Sequence, residues 1–173
     1  MKFATSRFDE IEFSQDVVLT FPEGVLGFPA DRRYILLEHS SEGSPFRWLQ
    51  SLENPDLAFI VVDPLLIEPR YQIDLDVDTA RMIGTGDAEQ CAIISIVNVP
   101  HERPIEMTAN LKAPLVINAE ARVGRQVIQG SSAYSISTAV FPAINHSLLG
   151  EGLNGRVVEV AEEPVLQKDA VSG

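Results

Sequence analysis

The sequence predicts an all-β domain, a small antiparallel barrel or sandwich of about nine or ten short strands with at most short helical turns. Three observations carry this. Short apolar runs recur along the chain, separated by clusters of Gly, Pro, Asn, Asp and Ser. No 3.6-residue period lasts long enough for a major helix. The chain of 173 residues is 45% hydrophobic, globular rather than disordered, and long enough for one sizeable core.

Residues 1–7 alternate Phe3, Thr5 and Arg7 against Lys2, Ala4 and Ser6, which fits an edge strand. Residues 17–21 form a second strand. The loop that follows carries Pro22, Gly24, Gly27 and Pro29, with Val25, Leu26 and Phe28 expected to plug the core. Residues 34–38 and 46–50 are the next strands, with Trp48 expected to be half-buried and a polar turn between them at 40–45. Asn54-Pro55 marks another turn. Residues 57–63 are apolar until their end, so a central strand buried on both faces is expected, with Phe59, Ile60 and Val61 largely buried. Asp63-Pro64 stops it.

Residues 71–78 show the clearest alternation. Tyr71, Ile73, Leu75 and Val77 oppose Gln72, Asp74, Asp76 and Asp78, so a strand would set three carboxylates in a row on its outer face. Residues 79–83 fit one helical turn, capped by Asp78 and ended by Gly84. Residues 92–99 are a further central strand. A polar break at 102–104 precedes 105–111. The tail is rich in Gly, Asn and Ser at 145–155, could add a strand at 156–160, and looks loosely ordered from 162 to 173.

The chain is organised around residues 108–128. Leu115, Val116 and Ile117 have high strand propensity, and Pro114, which cannot donate to a ladder, should sit at the strand start. Gly124 is expected to let the chain reverse, with Gln126, Val127 and Ile128 returning as the partner strand. Asn110, Asn118 and Gln126 interrupt this apolar stretch. If buried, each needs partners, because an unpaired buried amide costs roughly 1–3 kcal/mol.

Five words in this chain carry a family resemblance. They are N-L-K-A-P-L-V-I-N followed by G-R-Q-V-I, F-P-E-G-V-L-G-F from Phe21, P-F-R-W-L-Q-S from Pro45, L-A-F-I-V-V-D-P from Leu57, and the strand expected at 134–141. Together they resemble the FliW family of flagellar assembly factors. The resemblance covers residues 1–141, read as a FliW-like β-barrel domain, and leaves 142–173 as a C-terminal extension. It implies a protein that binds flagellin and, when free, binds and antagonises the translational regulator CsrA. The two bindings exclude each other, so flagellin synthesis is coupled to secretion. It implies no cofactor and no catalysis.

Charge fits that expectation. The formal net charge is −12, with a pI near 4.6. Residues 1–90 hold 17 acidic and 7 basic side chains, against 8 and 6 in residues 91–173. Such a balance opposes direct binding to nucleic acid, whose phosphates need Lys and Arg. It suits either solubility or a basic partner steered in by the field. Asp74, Asp76 and Asp78 are therefore the candidate partner-binding residues. As a metal site they fail, since an EF-hand loop needs Gly where Thr79 stands and Glu where Thr85 stands.

Other residues are read as structural. His39, His101 and His146 are scattered, and Cys91 opens an apolar strand where inert burial is the default. Gly84-Thr85-Gly86-Asp87 lacks the Lys of a phosphate loop. Asn145-His146-Ser147 matches a glycosylation sequon, which matters only in a secreted protein. A single cysteine, no apolar stretch near the roughly 20 residues that span a bilayer, and no apolar leader core lead to the expectation of a cytoplasmic protein, monomeric when free. The alternative is a cofactor-binding enzyme on a small barrel of flavin type. Few basic residues and no Gly-rich fingerprint stand against it.

Overall fold

The computed structural model describes residues 1–39, 42–131, 133–141 and 143–144, with the backbone of 153–158. Strands β1 (Lys2–Thr5) and β2 (Asp9–Glu12) form a separate antiparallel hairpin. The main sheet contains β3 (Leu19–Thr20), β4 (Arg33–His39), β5 (Phe46–Ser51), β6 (Ala58–Val62), β7 (Cys91–Asn98), β8 (Thr108–Ala109), β9 (Leu115–Asn118), β10 (Val123–Gln126), β11 (Thr138–Ala139) and β12 (Leu153–Val158). One α-helix, α1 (Val77–Ile83), lies between β6 and β7.

The sheet closes on itself. Strand β7 pairs with β6 through Ser95–Val97 and with β9 through Cys91–Ile94. The circuit β7-β6-β5-β4-β3-β10-β9 therefore returns to β7, a seven-stranded barrel with β8 and β11 appended. All pairings are antiparallel except β3 with β10, a single parallel bridge between Thr20 and Val123.

The interior is filled from alternate positions of each strand: Leu19, Tyr34, Leu36, Leu49, Val61, Ile94, Leu115 and Ile117, with Phe21 and Val25 from the loop after β3. The hairpin covers the outside of β4 and β5, where Ile11 and Phe13 pack with Ile35, Leu37, Trp48 and Leu52. Strand β4 is thus buried on both faces. The expectation of double burial fell on β6 instead. That strand is central, between β5 and β7, but Ile60, on the outer face, is only half-buried at the margin of the hairpin cluster, and Phe59, on the inner face, is half-buried against the Phe28 ring, itself 37% exposed. Trp48, expected to be half-exposed, is buried by the same hairpin, with the Phe8 ring edge-on at 5.6 Å.

The β9–β10 ribbon forms, but its return strand runs Val123–Gln126, starting three residues before the expected Gln126 and leaving Val127 and Ile128 outside it. The reversal is made by 119–122, not by Gly124. Asn118 Oδ1 accepts from the amides of Glu120 and Ala121, and Arg122 takes φ +58°. Gly124 lies inside β10 opposite Ile117. A Cβ there would stand 2.6 Å from Phe21 Cε1, so glycine is required by the close approach of the Phe21 ring. Asn110, Asn118 and Gln126 all find partners: the Ala113 amide, the Ile83 carbonyl and the Ala113 carbonyl, among others.

Elsewhere, several expected strands shrink. Residues 1–7 pair only within the hairpin, 17–21 contribute a two-residue strand after a 3-10 turn at Gln15–Val17, 105–111 yield β8 after another at Pro104–Glu106, and 134–141 yield only β11. The added strand expected at 156–160 is β12, antiparallel to β4 at Leu36, Leu37 and His39. Residues 162–173, His146 and its sequon lie outside the described residues.

The Gly124 contact yields a test. Gly124→Ala should destabilise by about 1–3 kcal/mol, the usual cost of forcing extra atoms into a packed interior. In a Phe21→Leu background the same substitution should cost measurably less. Urea unfolding of the four chains checks this; equal costs in both backgrounds would mean the ring is not the obstacle.

Candidate protein-binding face

Residues 71–76 are extended but join no ladder, so the strand expected at 71–78 is absent. The alternation still works as far as Leu75. Tyr71 is buried, with its hydroxyl donating to the Leu111 carbonyl at 2.7 Å, and Ile73 and Leu75 pack towards Ile83, Cys91 and Val116. It fails at Val77, which is 72% exposed, because α1 begins there.

Asp76 is the reason it begins there. The Asp76 backbone is extended, and its Oδ1 accepts the Thr79 amide while Oδ2 accepts the Thr79 hydroxyl, both at 2.8 Å. The cap is two residues earlier than the expected Asp78, and Gly84 ends the helix as expected. Asp78 lies in the first turn and pairs with Arg81 at 3.4 Å. Asp74, Asp76 and Asp78 are all exposed, but they do not form one straight strip. Asp74 precedes the helix and its amide is held by Gln129 Oε1 at 2.8 Å.

Arg125 joins this helix to the loop after β3. Its side chain leaves the outer face of β10. Nε meets Glu23 Oε2 at 3.0 Å, and one terminal nitrogen donates to Thr79 Oγ1 at 3.0 Å and lies 4.0 Å from Asp76 Oδ1. The next residue, Gln126, accepts the Leu26 amide at 2.8 Å. Two consecutive side chains of β10 therefore fix α1 and the 22–29 loop side by side.

In that loop only Val25 plugs the core. Leu26 is 58% and Phe28 37% exposed, against the expectation that both would be buried. The Phe28 amide donates to the Val25 carbonyl at 2.7 Å and Gly27 has φ +89°, a β-turn with glycine at its third residue. Leu26 is thereby lifted to the apex, beyond reach of the interior. Phe28 lies edge-on to the half-buried Phe59 at 5.3 Å. Beside the turn is a depression of about 170 Å³ lined by Glu23, Val25, Leu26, Pro29 and Gln126 among others. The exposed apolar pair was not legible in the sequence, where Leu and Phe in a glycine-rich loop look like core.

The remaining candidates are structural. Cys91 is buried, and burial followed by the charge of Asp87 pushes its thiol up to about 11, away from thiolate chemistry. Burial lowers the pKa of His39, while His101 is exposed beside Glu102 at 3.8 Å. Asp87 caps a 3-10 turn through the Glu89 amide, which leaves the segment after Gly84 with a structural role. No group of His, Cys, Asp and Glu among the described residues could hold a metal ion. No helix among them is long and apolar enough to cross a membrane.

Comparison with known proteins decides the family. The model of the FliW protein family matches residues 2–140. The chain belongs to the FliW family. It is 35% identical over 147 residues to the flagellar assembly factor FliW of Caldanaerobacter subterraneus subsp. tengcongensis, covering 85% of this chain and 97% of that one. It is 38% identical over 149 residues to that of Bdellovibrio bacteriovorus, covering 86% and 84%. A crystal structure of the flagellar assembly factor FliW superposes with a TM-score of 0.74 at 33% identity, covering 82% of this chain and 98% of the other. The all-β barrel is thus the fold of a FliW protein.

The Asp76 cap should be visible in acid. Hydrogen bonds from the Thr79 amide and hydroxyl, helped by the Arg125 charge, hold its carboxyl below the ordinary range near 3.9. A depressed folded pKa adds stability that is present above the unfolded value and is lost as pH falls through the folded one. Asp76→Asn keeps a capping oxygen but removes the titration. Its unfolding free energy should therefore fall less steeply than wild type as pH drops below about 4. Parallel curves in that window would show that Asp76 gains nothing from its partners.

Proposed function

We propose that this chain is a flagellar assembly factor that binds flagellin and, when free of it, binds and antagonises CsrA, the RNA-binding translational regulator, so that flagellin synthesis follows secretion. The observation that carries the proposal is family membership: relatives named flagellar assembly factor FliW are covered over 82–97% of their own length. It acts by protein–protein contact, without cofactor or catalysis, from the cytoplasm, and as a monomer when free. Residues 1–141 form the unit that does this, and 142–173 are an extension to it.

The physical character of the chain fits. An antagonist of an RNA-binding protein must approach a surface rich in Lys and Arg, and a net charge of −12 favours that approach while disfavouring RNA itself. Asp74, Asp76 and Asp78 are exposed, as a docking role requires.

Affinity capture with CsrA and flagellin, separately and mixed, tests the reading. Each should be retained alone, and flagellin should displace CsrA in the mixture. Retention of neither, or flavin absorbance in the purified protein, would turn the reading towards a cofactor-binding barrel.

The carboxylates have their own test. The triple Asn variant of Asp74, Asp76 and Asp78 keeps the cap and should fold, since exposed charges contribute little to stability. Its association with CsrA should slow, most of all at low salt, where the Debye length reaches about 30 Å at 0.01 M. Equal association rates at low salt would remove these residues from the binding surface.

A further inference from the structure

The turn Val25–Phe28 is built as a rigid apolar projection. An exposed leucine at a turn apex adds nothing to the core, yet four restraints hold it. Gly24 has φ +70°, and a Cβ there would stand 2.4 Å from the Phe28 carbonyl oxygen, so only glycine permits the fold-back. The Val25–Phe28 hydrogen bond closes the turn. Gln126 fixes the Leu26 amide, and Phe59 supports the Phe28 ring. A projection already ordered before contact loses little conformational freedom on binding, which is how a few apolar side chains come to dominate an interface.

The surroundings specify the partner's charge. Glu23 opens the loop, and through Arg125 it is tied to Asp76 at the start of α1, with Asp78 in the helix's first turn. Arg125 is occupied by Glu23, Thr79 and Asp76, and its side chain is three-quarters buried. Arg81 pairs with Asp78. Arg32 lies beyond the turn, with its Nε 3.5 Å from the Pro29 carbonyl. On the α1 side three carboxylates therefore face two engaged guanidinium groups. The rim is acidic by one charge on the α1 side, Arg32 lies on the opposite side, the centre is apolar, and the depression beside Leu26 has room for an incoming side chain.

We propose that Leu26, Phe28 and the carboxylates of Glu23, Asp76 and Asp78 form one docking surface for a protein segment in which an apolar side chain is flanked by Lys or Arg. The choice of occupant rests on the function proposed above. Of its two partners, the RNA-binding one must display cations for phosphate, so the surface is assigned to CsrA. The carboxylates set the approach, and Leu26 sets the residence time.

Binding of CsrA and of flagellin is measured by titration calorimetry for wild type, Leu26→Ser, Leu26→Met and Ile136→Ser. Ile136 is a comparably exposed apolar residue, at 66%, in the segment between β10 and β11 and not one of the residues assigned to this surface, and so controls for general loss of apolar surface. Leu26 is exposed, so its variants should unfold at the wild-type temperature. Leu26→Ser should weaken CsrA at least tenfold, while Leu26→Met and Ile136→Ser stay within twofold of wild type. That result, with or without a matching loss for flagellin, sustains the assignment. Unchanged CsrA binding by Leu26→Ser, or a loss confined to flagellin, overturns it while leaving the function intact. A wild-type chain that binds neither protein overturns the function and the assignment together.

Discussion

The structure depends on how the barrel closes. Six of the seven joints in the circuit are antiparallel pairings, and the seventh, β3 to β10, is one parallel bridge. A joint that short contributes little ladder. It is held instead by packing. The Phe21 ring lies under Gly124 and edge-on to Tyr34 at 5.5 Å, both rings fully buried. The Thr20 amide adds one hydrogen bond to the Arg122 carbonyl at 2.8 Å. Closure therefore rests on an aromatic side chain that fits only because a strand residue has no side chain.

That contact also sets the outer face. Alternation along β10 follows from Gly124 pointing inward, so Arg125 must point out. Once outward, it meets Glu23 and the start of α1, while the amide of Gln126 reaches Leu26. The carboxylates of these pairs are more than half exposed, so the pairs contribute little to stability. Their effect is positional: they keep the 22–29 loop and the helix start in one arrangement. The same residues that close the barrel thus determine where its exposed apolar turn stands relative to its carboxylates.

Legibility in the sequence follows the same division. The strands β4, β5, β7 and β9 were readable because each is an apolar run long enough to show its period. The Tyr71–Leu75 alternation shows which side chains go in, but it does not make a strand. Period two reports an extended chain against a core, and says nothing of whether a neighbour supplies a ladder. Its extension to Val77 failed because a cap at Asp76 costs the pattern nothing until the helix turns. Gly124 looks like a turn in the sequence because the need for close approach is created by Phe21, a hundred residues away in the chain. Leu26 and Phe28 look like core in the sequence for a related reason. Burial of a loop residue is settled by the turn that carries it; Gly27 marks a turn in the sequence, but the Gln126 contact that seats this one lies a hundred residues away.

Two departures from the sequence, Leu26 and Phe28, lie where function is proposed, and there is a physical reason for them. A core residue is specified by its own hydrophobicity and its neighbours' spacing, so the sequence carries the information locally. A docking residue is apolar and exposed, which by composition alone is indistinguishable from a buried one. What separates them is restraint without burial: a Leu26 amide fixed by Gln126, a Phe28 ring supported but not enclosed by Phe59, and a glycine before them that tolerates no Cβ. A loop whose only task was to cross the barrel end would not need these restraints on an exposed leucine. A polar residue at the apex would satisfy the turn equally well, because the apex position of such a turn accepts most side chains. The apolar choice at Leu26 is therefore a property of the surface rather than of the fold.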